Sequence, residues 1–207
     1  GLLGCGVNLR IQKVKAKLTQ ENLDGLILSS PANISYLTEY TSRDSCFLIS
    51  KKTNIYITDS RYTEEARKSL KGRASIRKLK GSLFKTAADA SRELGLKRIG
   101  FEERFISFSE HKLLNERLNR KGRLIPTYGL VEDSREIKTA EELEKIKEAA
   151  RITTDAFEFI NDCISPGKKE TEVAAELERF IRYRGARSSA FDIIVASGPN
   201  SSFPHHL

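Results

Sequence analysis

Glycine, used as punctuation, constrains this chain more than any other feature. It follows an amphipathic stretch and precedes an apolar or alternating run at Gly25, Gly72, Gly95, Gly122 and Gly185. A Gly just past a helix tolerates the left-handed backbone that ends it. The chain therefore reads helix, Gly, strand several times over, the pattern of an α/β fold. The predicted strands are Leu26–Ser29, Cys46–Ser50, Asn54–Asp59, Ser75–Leu79, Arg98–Phe101, Arg123–Tyr128 and Asp192–Ala196. The pair around Lys51-Lys52-Thr53 predicts an antiparallel hairpin. The predicted helices are Leu9–Leu23, Ile34–Tyr40, Arg61–Leu70, Leu83–Leu94, Ser107–Asn119, Ala140–Ile164 and Glu170–Arg184. Two of them open on capping boxes, Ser107-x-x-Glu110 and Thr139-x-x-Glu142. The long helix carries Leu143, Ile146, Ala150, Thr153, Phe157, Ile160 and Ile164 as one apolar stripe, and Pro166-Gly167 stops it.

An apolar content of 39% supports a packed core, and 207 residues allow one large or two modest domains. No apolar run approaches the ~18 residues of a membrane helix. Residues 1–8 are expected to be a disordered or non-native leader. They are too short and too poor in basic residues for a signal peptide. Three distant cysteines, Cys5, Cys46 and Cys163, form neither a disulfide framework nor a zinc knuckle, so a reduced, cytoplasmic protein is expected. The net charge is +8, densest from Arg67 to Lys80. Few aromatics are interleaved there to stack bases, which argues against nucleic acid and for a solvated helix face and edge strand.

The character of the chain changes near residue 129. Residues 9–128 alternate short elements as a compact α/β unit, 129–139 read as a charged linker, and 140–207 supply two helices and one strand. That last set cannot bury all its apolar faces, so the second unit is expected to be the start of something larger.

Several motifs then fall in order. Asn33-Ile34-Ser35-Tyr36-Leu37-Thr38 and Thr58-Asp59-Ser60-Arg61-Tyr62 lie in the first unit. Arg135-Glu136-Ile137-Lys138, Ser165-Pro166-Gly167, Glu170-x-Glu172-Val173-Ala174 and the run from Ser188 to Gly198 follow. Together they resemble the Xaa-Pro aminopeptidases and prolidases of the M24 metallopeptidases. The resemblance implies a creatinase-type N-terminal domain, a mixed sheet with flanking helices, followed by an incomplete pita-bread α+β domain. It departs at Glu39, where the family usually has Gly, and at Lys169, where a Thr commonly caps the helix.

The resemblance also implies a peptidase that hydrolyses the bond between an N-terminal residue and proline. Its partners would be proline-containing peptides and a second copy in a homodimer. Two divalent ions, manganese, cobalt or zinc, would activate a bridging water. In the family their ligands follow the Pro-His element, so no metal ligand is assigned within this chain, and the chain alone is expected to be inactive. Pro204-His205 matches that element. The resemblance carries to His205 the role of a substrate-side catalytic histidine, which suits an imidazole whose ordinary pKa is near 6.5. His206 receives no role. The alternative function is a non-catalytic pita-bread binding or dimerisation module.

Other features read as structure. Asp59 is expected to cap the helix that follows it. Tyr36 and Tyr40 read as packing residues, and His111 as part of a polar helix face. Gly198-Pro199-Asn200 lacks the phosphate-loop pattern.

Overall fold

The computed structural model describes residues 3–40 and 44–206. The chain divides into two units, Gly1–Ile137 and Lys138–Leu207.

The first unit runs α1 (Leu3–Gln20), β1 (Gly25–Leu28), α2 (Pro31–Thr38), β2 (Ser45–Ser50), β3 (Asn54–Thr58) and α3 (Thr63–Ser69). It continues with β4 (Ser75–Lys78), α4 (Leu83–Glu93), β5 (Arg98–Glu102), α5 (Phe108–Leu118), β6 (Arg123–Thr127) and α6 (Glu132–Glu136). The strands form one mixed sheet in the order β4-β3-β2-β1-β5-β6. β2 pairs antiparallel with β1 and with β3, the expected hairpin, whereas β1–β5, β5–β6 and β3–β4 are parallel.

Alternation along the strands builds two cores. Leu26, Leu28, Phe47, Ile49 and Tyr56 face one side, where they meet Ile11, Val14 and Leu18 of α1, Ile34 and Leu37 of α2, and Ala66 of α3. Ile27, Cys46, Leu48, Ile55, Ile57 and Ile99 face the other, against α4 and α5 through Phe84, Ala87, Leu114 and Leu118. Central strands covered on both faces are apolar throughout rather than alternately polar. Cys46 is wholly buried in the second core, and neither it nor Cys163 is in a disulfide.

Two expected boundaries shift. Helix α1 begins at Leu3, inside the stretch expected to be a disordered leader. Gly1, Leu2 and the side chain of Cys5 lie outside the described residues. The stretch expected as a linker folds onto the first unit as far as Ile137. There Val131 is buried, Tyr36 Oη donates to the Ser134 carbonyl at 2.9 Å, and Lys17 Nζ meets Asp133 at 3.0 Å. One apolar side chain and a few polar hooks suffice to dock a short charged segment.

The second unit contains α7 (Ala140–Cys163), α8 (Glu170–Tyr183) and a short 3-10 turn, Gly198–Ser202. Thr139 caps α7 with its capping box complete, as Ser107 does for α5. Ile152, Ala156 and Ile160 of α7 are buried with Val173 of α8, and Phe159 stacks on Phe180 at 4.3 Å. The predicted stripe itself is mostly exposed, as expected of a unit that cannot bury all its apolar faces: of its large members only Ile160 is buried, while Leu143, Ile146, Phe157 and Ile164 face solvent. The strand expected over Asp192–Ala196 is irregular. The described residues of this unit offer no second strand to pair with it, and an unpaired strand leaves its ladder groups unsatisfied.

Candidate functional site

The segment that carries the two histidines is organised by one carboxylate. Glu170, the first residue of α8, lies far in sequence from the 3-10 turn but binds its entry. Glu170 Oε1 accepts from the Ser197 N–H at 2.6 Å, from Ser197 Oγ at 3.2 Å and from Asn200 Nδ2 at 3.0 Å. Its Oε2 accepts from Asn200 Nδ2 at 3.0 Å and faces His206 Nε2 at 3.3 Å. The Ser197 N–H and the Asn200 amide hold the Glu170 carboxyl below the usual carboxylate range. The turn closes on itself through Ser201 Oγ to the Gly198 carbonyl, Ser202 Oγ to the Pro199 carbonyl, and the Phe203 N–H to the Asn200 carbonyl.

His205, the one catalytic residue expected from the sequence, is exposed at the end of this segment, whereas His206 is half-buried on Glu170. Sequence reasoning gave Glu170 no role beyond opening a helix. Nothing local in its sequence signals a partner nearly thirty residues on. Lys169 precedes it without a side-chain cap, and its N–H is taken instead by Glu172 Oε2 at 2.9 Å. Among the described residues, no three His, Cys, Asp or Glu side chains gather as a metal-binding group.

The motifs of the first unit resolve into a structural network. Asn33 is buried, and its Nδ2 donates to Glu102 Oε1 and to Glu132 Oε1, each at 2.6 Å. Arg135 donates to Asn33 Oδ1 at 2.9 Å, so two separate motifs are each other's partners. Glu102 Oε2 also accepts from the Ser29 and Ser30 N–H groups at 2.5 and 2.8 Å. Burial nevertheless pushes the Glu102 carboxyl up. Tyr36 lies under the Arg10 guanidinium at 4.4 Å, and Tyr40 is buried, so both are packing residues.

Asp59 does not cap α3. Its carboxylate accepts from the Arg61 N–H at 2.7 Å and from Arg61 Nε at 3.0 Å, and Arg61 also reaches Asp44 at 2.5 Å. The turn between β3 and α3 brings a guanidinium within reach before the helix begins, and the N-cap of α3 is Tyr62, which makes no side-chain cap. His111 packs against the Phe101 ring at 5.1 Å. The arginines of the basic stretch are engaged locally. Arg67 pairs with Glu64, Arg77 with Glu93, and Arg73 donates to the Thr38 and Ser69 carbonyls. Arg77, Lys78, Lys80, Arg92 and Lys121 line an open groove of about 760 Å³ beside α4, together with Asp89 and Glu93.

Residues 10–137 match the Creatinase/Prolidase N-terminal domain, and residues 144–207 match metallopeptidase family M24. The chain is 38% identical over 197 residues to the uncharacterized peptidase YqhT of Bacillus subtilis, covering 95% of this chain and 55% of that one. A solved Xaa-Pro dipeptidase from Bacillus anthracis superposes with a TM-score of 0.86 at 39% identity, over 97% of this chain and 56% of the other. An X-Pro aminopeptidase from Thermotoga maritima gives 0.76 at 33% identity, over 89% and 53%. The chain thus spans about half the length of the relatives it matches. No helix of the described residues is long and apolar enough to cross a membrane. The order of elements and the length matched place this chain in the creatinase/prolidase N-terminal domain family, with a metallopeptidase family M24 segment following in the same polypeptide.

Proposed function

We propose that the whole protein is a metal-dependent Xaa-Pro peptidase, hydrolysing the bond between an N-terminal residue and proline. The observation that carries this is the pair of family matches in one chain, together with 39% identity to a protein named as an Xaa-Pro dipeptidase. The relatives include a dipeptidase and an aminopeptidase, and either fits the residues described here. Membership of a metallopeptidase family supports divalent ions in the whole protein, with manganese, cobalt or zinc as candidates. The described residues alone do not form a donor set that fits such a centre. When bound, the ions would supply an activated water.

What this chain contributes is His205. Its exposed imidazole can donate to, or accept from, a substrate atom as charge develops on the scissile bond. A cytoplasmic location agrees with the buried, unpaired Cys46 thiol.

The test uses the whole-length protein and an Xaa-Pro dipeptide with added manganese. Wild type is expected to cleave and the 207-residue chain not to. His205→Ala should lower kcat by about 10²–10⁴-fold, the usual worth of a positioned acid or base. A His205→Ala enzyme as fast as wild type would remove the role assigned to that histidine.

A further inference from the structure

We propose that Glu170 is the positioning residue for His205. Its carboxylate clamps both ends of the 197–206 segment, so that His206 turns inward and its neighbour is presented to the substrate. The proposal rests on the reading of His205 given above and identifies what holds that residue in place. Three donors at the start of the segment converge on Glu170, the Ser197 N–H, Ser197 Oγ and the Asn200 amide, and at its end His206 Nε2 lies 3.3 Å from the same carboxylate. Between those anchors the 3-10 turn is stiffened by the hydroxyls of Ser201 and Ser202 on the Gly198 and Pro199 carbonyls.

The segment is thus a loop closed on one side chain. Glu170 stands at the first position of α8, so the base of the clamp belongs to a regular element rather than to another loop. This also gives the two adjacent histidines separate tasks. His206 is half-buried and engaged with the clamp, while His205 is exposed and free of it. Since Asn200 bridges both carboxylate oxygens, Gln at position 170 would bring an amide against donors on at least one side.

A double-mutant cycle in the whole-length protein tests this. Glu170→Gln should lower kcat by roughly 10–100-fold, the cost of displacing a reacting group by about an ångström, with KM nearly unchanged. In the His205→Ala background the same change should have no further effect on kcat, because a clamp for an absent imidazole has nothing left to position. A general structural defect would instead add its loss to that of His205→Ala, and that result would overturn the proposal while leaving the His205 reading intact. A His205→Ala enzyme with wild-type kcat would sink both.

Asn200→Ala keeps the Ser197 contact and is the milder variant should Glu170→Gln fold poorly. Its smaller loss should likewise vanish in the His205→Ala background. Independently of activity, histidine-selective ¹⁵N labelling of the 207-residue chain gives three imidazoles to follow. Glu170→Gln should move the His206 signals, and spectra identical to wild type would overturn the clamp.

Discussion

Glu102, the last residue of β5, sits at the C-terminal ends of the parallel strands β1 and β5, whose following helices leave on opposite faces of the sheet. Open α/β sheets commonly take ligands in such a crevice. Here it is filled from within by Asn33, Glu102, Glu132 and Arg135. The network ties α2 and α6 to the sheet, which is why the segment after β6 is not a free linker. Truncating Glu102→Ala would orphan the Ser29 and Ser30 N–H groups and one arm of Asn33. It is expected to cost roughly 1–3 kcal/mol in urea unfolding. The cost should also depend on pH. Burial raises the Glu102 carboxyl above 4.5 in the folded protein, so folding favours its protonated form. Its contribution is complete below about pH 4.5 and falls as pH rises through the folded value. The gap between wild type and Glu102→Ala should therefore be wider near pH 4.5 than at pH 7, and a gap that widened toward pH 7 would contradict the assignment. Asn33 and Arg135 were visible in the sequence as motif residues. Their contact was not, because 102 positions separate them and no local pattern encodes so distant a pairing.

Helix ends show how a sequence signal can be right in place and wrong in cause. Gly72, Gly95 and Gly185 do adopt positive φ, as punctuation after a helix implies. Gly25 and Gly122 do not. Gly25 opens β1, where an added Cβ would lie 2.9 Å from the Ile49 carbonyl oxygen and 2.8 Å from Leu96. It is glycine for want of space. The left-handed turn after α1 is taken by Asn22 and the one after α5 by Asn119 and Arg120, residues that composition alone does not single out. At the end of α2 the left-handed residue is Glu39, with φ of 53°, at the position where the resembled family usually has Gly. A side chain there carries a steric penalty that the Arg10–Glu39 contact at 3.5 Å only partly offsets. Glu39→Gly should therefore raise stability, by about 0.5–1 kcal/mol, seen as a higher urea midpoint at unchanged slope. A lower midpoint would mean that the Arg10 contact outweighs the strain. The element the sequence misread is the Asp192–Ala196 run, which has the residues of a strand but no partner among the described residues.

At the level of the whole molecule, the two-unit division was legible because alternating short elements give way to long amphipathic helices. What covers those helices was not, since packing partners are a property of space rather than of periodicity. The outward face of α7 carries Leu143, Ile146, Phe157 and Ile164 at 46–67% exposure. From residue 143 to 164 that stripe is roughly 32 Å long at 1.5 Å per residue. With a width of about 10 Å, two such stripes face to face would bury only about 600 Å², well short of the ~1,200 Å² of a stable interface. The 207-residue chain should therefore associate weakly rather than form a tight dimer. Light scattering is expected to give a monomer mass at low micromolar concentration and a rising mean mass toward the millimolar range. Because Ile146 and Phe157 are exposed, replacing them by Lys and Glu should leave the melting temperature nearly unchanged. The same pair should flatten the concentration dependence, since charges on both stripes would have to be desolvated on contact. A constant monomer mass across the whole range for the unsubstituted chain would show that this face does not self-associate. A tight dimer that survived both substitutions would show that the chain pairs through another surface.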